Sequence, residues 1–279
     1  MATLDPARFS PARPVAHALD LLGDQVQFQL RAFGMIPYAI RHYPGEILRL
    51  LALVSFGRGA LALIGGTVVT VGFLTTFVGI ELGIQGYNQL STIGVESLTG
   101  FVSAYVNTRL AAPFIAGIAL VATVGAGFTA QLGAMRISEE IDALDVMAVQ
   151  SVAYLVSTRI VAGIIAIVPL YSIGLLASYA GTRLIITGVY GQSGGSYDYY
   201  FMTFLIHRDI WASIAIVAIG AVLILGIHCY YGYTATGGPA GVGRAVGRAV
   251  RLSLITILSA DLLLSLALYG GSNSLHISG

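Results

Sequence analysis

Five charged side chains lie close together in a chain that is otherwise mostly apolar, and their spacing suits a docking surface. They fall within residues 135–148 and are Arg136, Glu139, Glu140, Asp142 and Asp145. Apolar residues recur in the same segment at the spacing of one helix face: Ile137, Ile141, Leu144 and Ala148. Ser138 suits the N-cap, and the acidic residues suit the positive end of the helix dipole. We predict an amphipathic helix that needs a partner surface, because a helix this short is not stable alone.

Side chains that could carry out catalysis are sparse. The sequence has neither the H-E-x-x-H pattern of zinc proteases nor a C-x-x-C pair, and its one cysteine, Cys229, excludes an internal disulfide. All fourteen basic residues are arginine, which excludes a P-loop ATPase site and Schiff-base chemistry, because both need lysine. The adjacent His207, Arg208 and Asp209 lie at a predicted membrane boundary, where we interpret them as an interfacial charge cluster.

The composition predicts a membrane protein that crosses the bilayer several times. Of the 279 residues 56% are hydrophobic and 10% are charged, whereas a soluble domain carries about 25% charged residues. Five segments are apolar and long enough to cross about 30 Å of hydrocarbon. These predicted spans are 59–80, 110–134, 160–182, 210–231 and 252–269. We therefore predict an all-α polytopic fold, with a five-span domain over 57–270.

The segment before the first span has a different character. Residues 1–14 contain three prolines and two arginines and lack the apolar core of a signal peptide, so we predict a flexible N-terminus. Residues 15–56 alternate apolar and charged positions, which favours amphipathic helices in the headgroup region over a soluble helical cap. Residues 271–279 form a short polar tail.

The distribution of arginine predicts the orientation, because cytoplasmic loops are enriched in basic residues. If the N-terminus is inside, the outer side holds three: Arg109, Arg183 and Arg208. The inner side then holds eleven: Arg8, Arg13, Arg31, Arg41, Arg49, Arg58, Arg136, Arg159, Arg244, Arg248 and Arg251. We expect a cytoplasmic N-terminus and acidic helix, and an exterior C-terminus.

One acidic residue, Asp261, lies well inside a predicted span. An ionisable group at membrane depth is expensive and points to a functional role by default. It could pair with an arginine or polar group of a neighbouring helix, line a cavity, or remain protonated. Pairing of Asp261 with an arginine or polar group of a neighbouring helix is slightly favoured over a role in transport.

Three stretches of the sequence match the motifs of a known family. Residues 133–149 read GAMRISEEIDALDVMAV, Gln85-Gly86-Tyr87 follows the first span, and Arg159 opens the third. With these motifs the chain resembles, over roughly residues 35–270, the MlaE/YrbE family of permease subunits of Mla- and Mce-type ABC lipid transporters. The resemblance is strongest to the actinobacterial YrbE proteins that are encoded with Mce proteins.

The resemblance implies an architecture and several partners. In that family the acidic segment is the coupling helix that docks on a cytoplasmic P-loop ATPase, which implies that Arg136, Glu139, Glu140, Asp142 and Asp145 face the ATPase. ATP and Mg would be bound by that ATPase, and this chain would hold no cofactor. Two permeases pair in the inner membrane beneath a ring of MCE-domain proteins, and lipid passes between them. Fatty acids or sterols are the expected lipids. We expect Gln85, Tyr87 and Asp261 to line the lipid cavity, because they are polar side chains at membrane depth.

The chain departs from the family pattern at three positions that usually carry charge. They hold the uncharged Leu110, Thr123 and Gln131 instead. Any role of the missing charges must be filled by other residues or by a partner. This favours a heterodimer with a paralogous YrbE, in which this chain resembles the B-type member.

Two other functions remain open from the sequence. A polytopic enzyme acting on lipids would need a cluster of ionisable groups at one interface, and only His207–Asp209 offers one. A secondary transporter would show internal repeats and broken, charged spans, and no convincing repeat is present.

Overall fold

Most of the described chain is helical. A computed structural model describes residues 12–56 and 66–270, with side chains from residue 23 onward, and these residues contain no strand. Of the predicted flexible N-terminus 1–14, residues 1–11 lie outside the described residues, as do the start of the first predicted span and the tail 271–279. Residues 12–14 are not flexible as predicted, because they form the start of a helix.

Three helices precede the bundle: α1 (Ala12–Gly34), α2 (Ile36–His42) and α3 (Pro44–Phe56). Pro37 and Pro44 lie in the first turns of α2 and α3, where a helix needs no N–H donor, so the prolines set the boundaries. The hydroxyl of Ser157 donates a hydrogen bond to the Ala32 carbonyl at 2.7 Å, which fastens α1 to the bundle.

Within the described residues, five helices are long and apolar enough to cross a membrane, which confirms the predicted all-α polytopic fold class. They are α4 (Thr67–Ser91), α5 (Glu96–Ile137), α7 (Val152–Gly188), α9 (His207–Tyr233) and α10 (Gly238–Tyr269). Two short helices connect them: α6 (Glu140–Val146) and α8 (Gly194–Phe204). Every long helix extends beyond the predicted span at one end or both.

The largest boundary difference is in α5. Residues 96–109, predicted as part of an exterior connection, continue the helix instead, with wider π turns at Ser103–Ala111 and Val121–Gly125. The first π turn ends just before Pro113, which has no N–H to bond to the preceding turn. Asn107 and Arg109 interrupt the apolar run in sequence, yet both are buried between helices.

Helix α7 forms the centre of the bundle and packs closely against α4. A Cβ atom added to Gly181 would lie 2.6 Å from the Thr76 carbonyl oxygen, so only glycine permits this approach. The hydroxyl of Thr182 donates to the Gly79 carbonyl at 2.7 Å. By contrast, the outer face of α10 exposes several leucines and isoleucines: Ile255, Leu258, Leu262, Leu263 and Leu266.

Candidate functional site

The two ends of the bundle differ in chemistry. We call the end formed by residues 136–152 the acidic end, and the opposite end, formed by residues 189–206, the aromatic end. The acidic end contains the predicted coupling segment, and its residues 136–149 are called the acidic turn below.

The acidic turn is not the single helix predicted over 135–148. Helix α5 ends at Ile137, Glu139 adopts a left-handed backbone conformation with φ 60°, and α6 begins at Glu140. Ser138, predicted as an N-cap, instead ends α5: its hydroxyl hydrogen-bonds the Ala134 carbonyl at 3.0 Å and the Glu140 carboxylate at 2.9 Å. The change of direction at Glu139 is what allows Ile141 to turn inward.

The apolar residues of the acidic turn are of two kinds: buried residues that anchor the turn, and exposed residues that form its tip. Ile141 is fully buried and Leu144 packs partly against the same core. Ile137, by contrast, is exposed, so the predicted apolar face is only partly formed. Val146 and Met147 are 89% and 65% exposed. The turn therefore presents an apolar tip on a rigid base.

One ion pair closes the acidic turn and leaves the other acidic groups outside it. A guanidinium nitrogen of Arg136 lies 2.6 Å from the Asp142 carboxylate across the break between α5 and α6. Glu139, Glu140 and Asp145 are exposed and form no ion pair within the described residues. Of the five predicted residues, two thus hold the turn together and three present negative charge outward.

A cleft of 390 Å³ lies beside the acidic turn. It is bordered by α1, the loop after α6 and the end of α9, through residues that include Arg31, Asp145, Gln150 and Tyr233. The hydroxyls of Ser151 and Tyr233 are 2.8 Å apart at its wall. A partner seated on the turn would therefore also meet the end of α1.

The aromatic end contains a buried ion pair that the sequence did not predict. Arg109, 4% exposed, donates from Nε to the carboxylate of Asp209, 5% exposed, at 2.7 Å. The Arg109 guanidinium also donates to the Tyr105 hydroxyl and lies over the rings of Tyr105 and Tyr269, at 4.0 and 4.6 Å from their centroids. Asp209 is thus not part of an interfacial charge cluster: it ties α9 to α5.

The connection between α7 and α9 is tied by a second, exposed pair. Arg183 of α7 donates two hydrogen bonds of 2.9 Å to Asp198 of α8. These hydrogen bonds hold the pKa of the Asp198 carboxyl below its ordinary value. Tyr197 beside it is buried, so α8 is packed onto the bundle.

The three predicted cavity residues do not meet. Gln85 is exposed and donates to Glu81 at 3.0 Å, while the Tyr87 ring lies 4.1 Å from that of Tyr190 at the aromatic end. Asp261 lies on α10 and borders a groove that contains neither of them. The predicted pairing of Asp261 with an arginine is absent from the described residues.

The three uncharged departures from the family pattern border two separate cavities. Leu110 lines the groove of Asp261. Thr123 and Gln131 line a pocket of 250 Å³ between α3, α4 and α5. These three side chains therefore bring no charge to either cavity.

One hydrolase-like pattern, Gly191–Gly195, reads G-x-S-x-G. In α/β-hydrolases this serine occupies a turn from a strand to a helix. Here Ser193 lies in a loop between two helices, and within the described residues it has no hydrogen bond to a histidine. The pattern lacks the context that gives it catalytic meaning.

Comparison with known proteins identifies the family of this chain. The family model described as Permease MlaE matches residues 56–267, about three quarters of the chain. The chain belongs to the MlaE permease family. The match to the MlaE model spans the long helices from α4 to residue 267 of α10 and includes the acidic turn. It excludes α1, α2 and all of α3 except Phe56.

Several curated proteins are similar to this member of the MlaE family. A probable ABC transporter permease protein of Rickettsia bellii is 34% identical over 70% of this chain and 75% of its own length. A second, of Rickettsia felis, is 31% identical over 85% of this chain and 89% of its own. The intermembrane phospholipid transport system permease protein MlaE of Haemophilus influenzae is 25% identical over 70% of this chain and 75% of its own. The predicted family is confirmed, whereas the actinobacterial B-type character stays a prediction.

Proposed function

We propose that this chain is the permease subunit of an ABC-type transporter that moves lipid across or out of the inner membrane. A separate P-loop ATPase docks on the acidic turn and supplies the energy. The observation that carries the proposal is the form of that turn: an exposed tip, Val146 and Met147, on a base anchored by the buried Ile141.

The construction of the turn suits force transmission. Burial of Ile141 and the Arg136–Asp142 ion pair fix the turn to the end of α5, so a push on the tip reaches a membrane helix directly. Exposed apolar side chains rimmed by charge are typical of a protein contact. The three outward carboxylates suit a basic rim on the ATPase.

The arginine distribution supports an acidic turn on the cytoplasmic side, where ATP is available. Eleven of the fourteen arginines fall on that side if the N-terminus is inside. An ATPase is needed as a separate chain, because this sequence has no lysine for a P-loop.

Lipid is favoured as the substrate by the apolar character of the grooves and by the name of the Haemophilus relative, which specifies phospholipid transport. From the family resemblance we add the finer assignments. The lipids are fatty acids or sterols, a paralogous permease forms a heterodimer with this chain, and MCE-domain proteins lie on the exterior side.

The test is isolation of the chain from membranes, with identification of what is bound. Glu139, Glu140 and Asp145 are changed together to alanine, which leaves the Arg136–Asp142 pair intact. The matched control changes three acids elsewhere in the chain: Glu81, Glu96 and Asp198. We expect a P-loop ATPase with the wild type and the control, and a loss of about tenfold or more with the acidic-turn variant.

Two results would count against the proposal. If no ATPase accompanies the wild type, the permease assignment is wrong. If the ATPase accompanies both variants equally, the acidic turn is not its docking site.

A further inference from the structure

A groove of 450 Å³ between α5 and α10 has almost purely apolar walls and one acidic group. Its lining residues are Leu110, Ala111, Phe114, Leu258, Asp261 and Leu262. The three leucines are at least half exposed, so the groove opens to the surroundings of the helix bundle.

Asp261 lies well inside α10, away from the end of the helix. It precedes the end of α10 at Tyr269 by eight residues, which is about 12 Å at roughly 1.5 Å per residue. The residue is 9% exposed and has neither an ion pair nor a hydrogen bond within the described residues. A carboxyl group in this position has unmet hydrogen-bonding capacity, which is costly in an apolar environment.

The arginine that adjoins the groove in sequence is already engaged. Arg109 precedes the groove residue Leu110, but its Nε and one terminal nitrogen contact Asp209, and the other terminal nitrogen donates to Tyr105. Its flat faces lie against Tyr105 and Tyr269. Arg109 is therefore not available to Asp261, and a partner for the carboxyl must come from outside the described bundle.

From this geometry we infer that the groove binds a lipid with a long apolar body and one uncharged hydroxyl, which hydrogen-bonds the Asp261 carboxyl. The inference rests on the proposed function in lipid transport and specifies which lipids the groove accepts. A hydroxyl suits both forms of the carboxyl, because it can donate to an ionised group and accept from a protonated one.

An anionic head group fits this position poorly. A phosphate would bring its charge into an apolar groove whose lining residues include no cation, and an ionised Asp261 would also repel it. Leu110, on the same wall, offers no cation or hydrogen-bond donor to such a head group. The groove therefore selects against lipids with an anionic head group at this depth, which include ionised fatty acids as well as phosphate-headed lipids.

Binding of tritiated 1-hexadecanol to the complex purified in detergent tests the inference. Unlabelled competitors are 1-hexadecanol, heptadecane, which has the same number of non-hydrogen atoms, and hexadecyl phosphate. The variants are Asp261→Asn, which keeps a hydrogen-bonding group of the same size, and Asp261→Leu, which removes it. Asp198→Leu is the matched control, because it makes the same change at an exposed carboxyl.

We expect hexadecanol to compete at least about fivefold better than heptadecane or hexadecyl phosphate in the wild type and in the control, as one hydrogen bond provides. Asp261→Leu should lower hexadecanol affinity about tenfold and abolish the preference, and Asp261→Asn should keep it within about threefold. Equal competition by hexadecanol and heptadecane in the wild type would overturn the inference, as would unchanged hexadecanol affinity in Asp261→Leu.

A second copy of the chain, or its paralogue, is the competing occupant. Leu262→Cys tests for it, because Leu262 is 61% exposed and the one native cysteine, Cys229, is buried. A disulfide-linked dimer through this position, together with no hexadecanol binding, would overturn the inference. ATPase co-purification depends on the acidic turn, so it distinguishes a failure of the groove from a failure of the proposed function.

Discussion

Arg109 and Asp209 carry opposite charges that are almost wholly removed from solvent, and the sequence separates them by 100 positions. The residues next to each of them in sequence do not predict this contact. Arg109 stands at the start of an apolar run, and Asp209 adjoins His207 and Arg208. Only the packing of α5 against α9 brings them within 2.7 Å. At this scale the sequence supplies candidate groups, and the fold decides which of them pair.

The buried pair predicts a specific pattern of stability. Asp209→Leu should destabilise the protein by about 3–5 kcal/mol, because it leaves the Arg109 guanidinium buried without its counter-charge. The double variant Arg109→Met with Asp209→Leu should lose less, since no uncompensated charge remains. Thermal unfolding in detergent measures both.

The exposed pair provides the control for this comparison. Asp198→Leu removes the partner of Arg183, which is accessible to solvent, and should change the unfolding temperature little. A double variant that is less stable than Asp209→Leu alone would show that the pair contributes net stability and does not merely neutralise two buried charges.

At the scale of elements, hydropathy predicted the helices well and their ends poorly. The five runs are apolar because their residues face an apolar environment, so the existence of each long helix could be predicted from the sequence. The first turns of α5 could not, because Asn107 and Arg109 are polar residues that another helix covers. The break at Glu139 was equally hidden, since a left-handed conformation of a residue other than glycine depends on its surroundings.

Because α4 and α7 are in close contact, adding one methyl group to α7 should lower the free energy of unfolding at the contact and not elsewhere in the helix. Gly181→Ala should destabilise the protein by about 1–3 kcal/mol, because the new Cβ would meet the Thr76 carbonyl at 2.6 Å. Gly188→Ala is the matched control in the same helix, where the added Cβ has no neighbour within 4 Å.

Thermal unfolding of the two glycine variants, side by side, measures the difference. Equal stability would mean that α4 and α7 separate without cost, and α7 would then not be the fixed centre of the bundle.

At the scale of the whole molecule, the two ends have separate roles in the proposed transporter. The acidic end presents an apolar tip and three carboxylates to a partner, and the aromatic end is tied by Arg109–Asp209 and by Arg183–Asp198. The acidic segment was found from sequence because its residue types are unusual in an apolar chain. The sequence also nominated Asp261 as a cavity residue, but it did not predict the walls of the groove, because they are ordinary leucines that two distant helices bring together.

The most direct measurement of the central claim is site-directed cross-linking from the tip of the acidic turn. Val146→Cys and Val189→Cys introduce the same side chain at exposed positions of opposite ends, 89% and 72% exposed in the native valines. Each variant is labelled in membranes with a maleimide–benzophenone reagent, which the buried Cys229 does not reach. Our account predicts a photo-adduct with a P-loop ATPase from position 146 and none from position 189. An ATPase adduct from position 189 alone, or none from position 146 while the ATPase co-purifies, would contradict it.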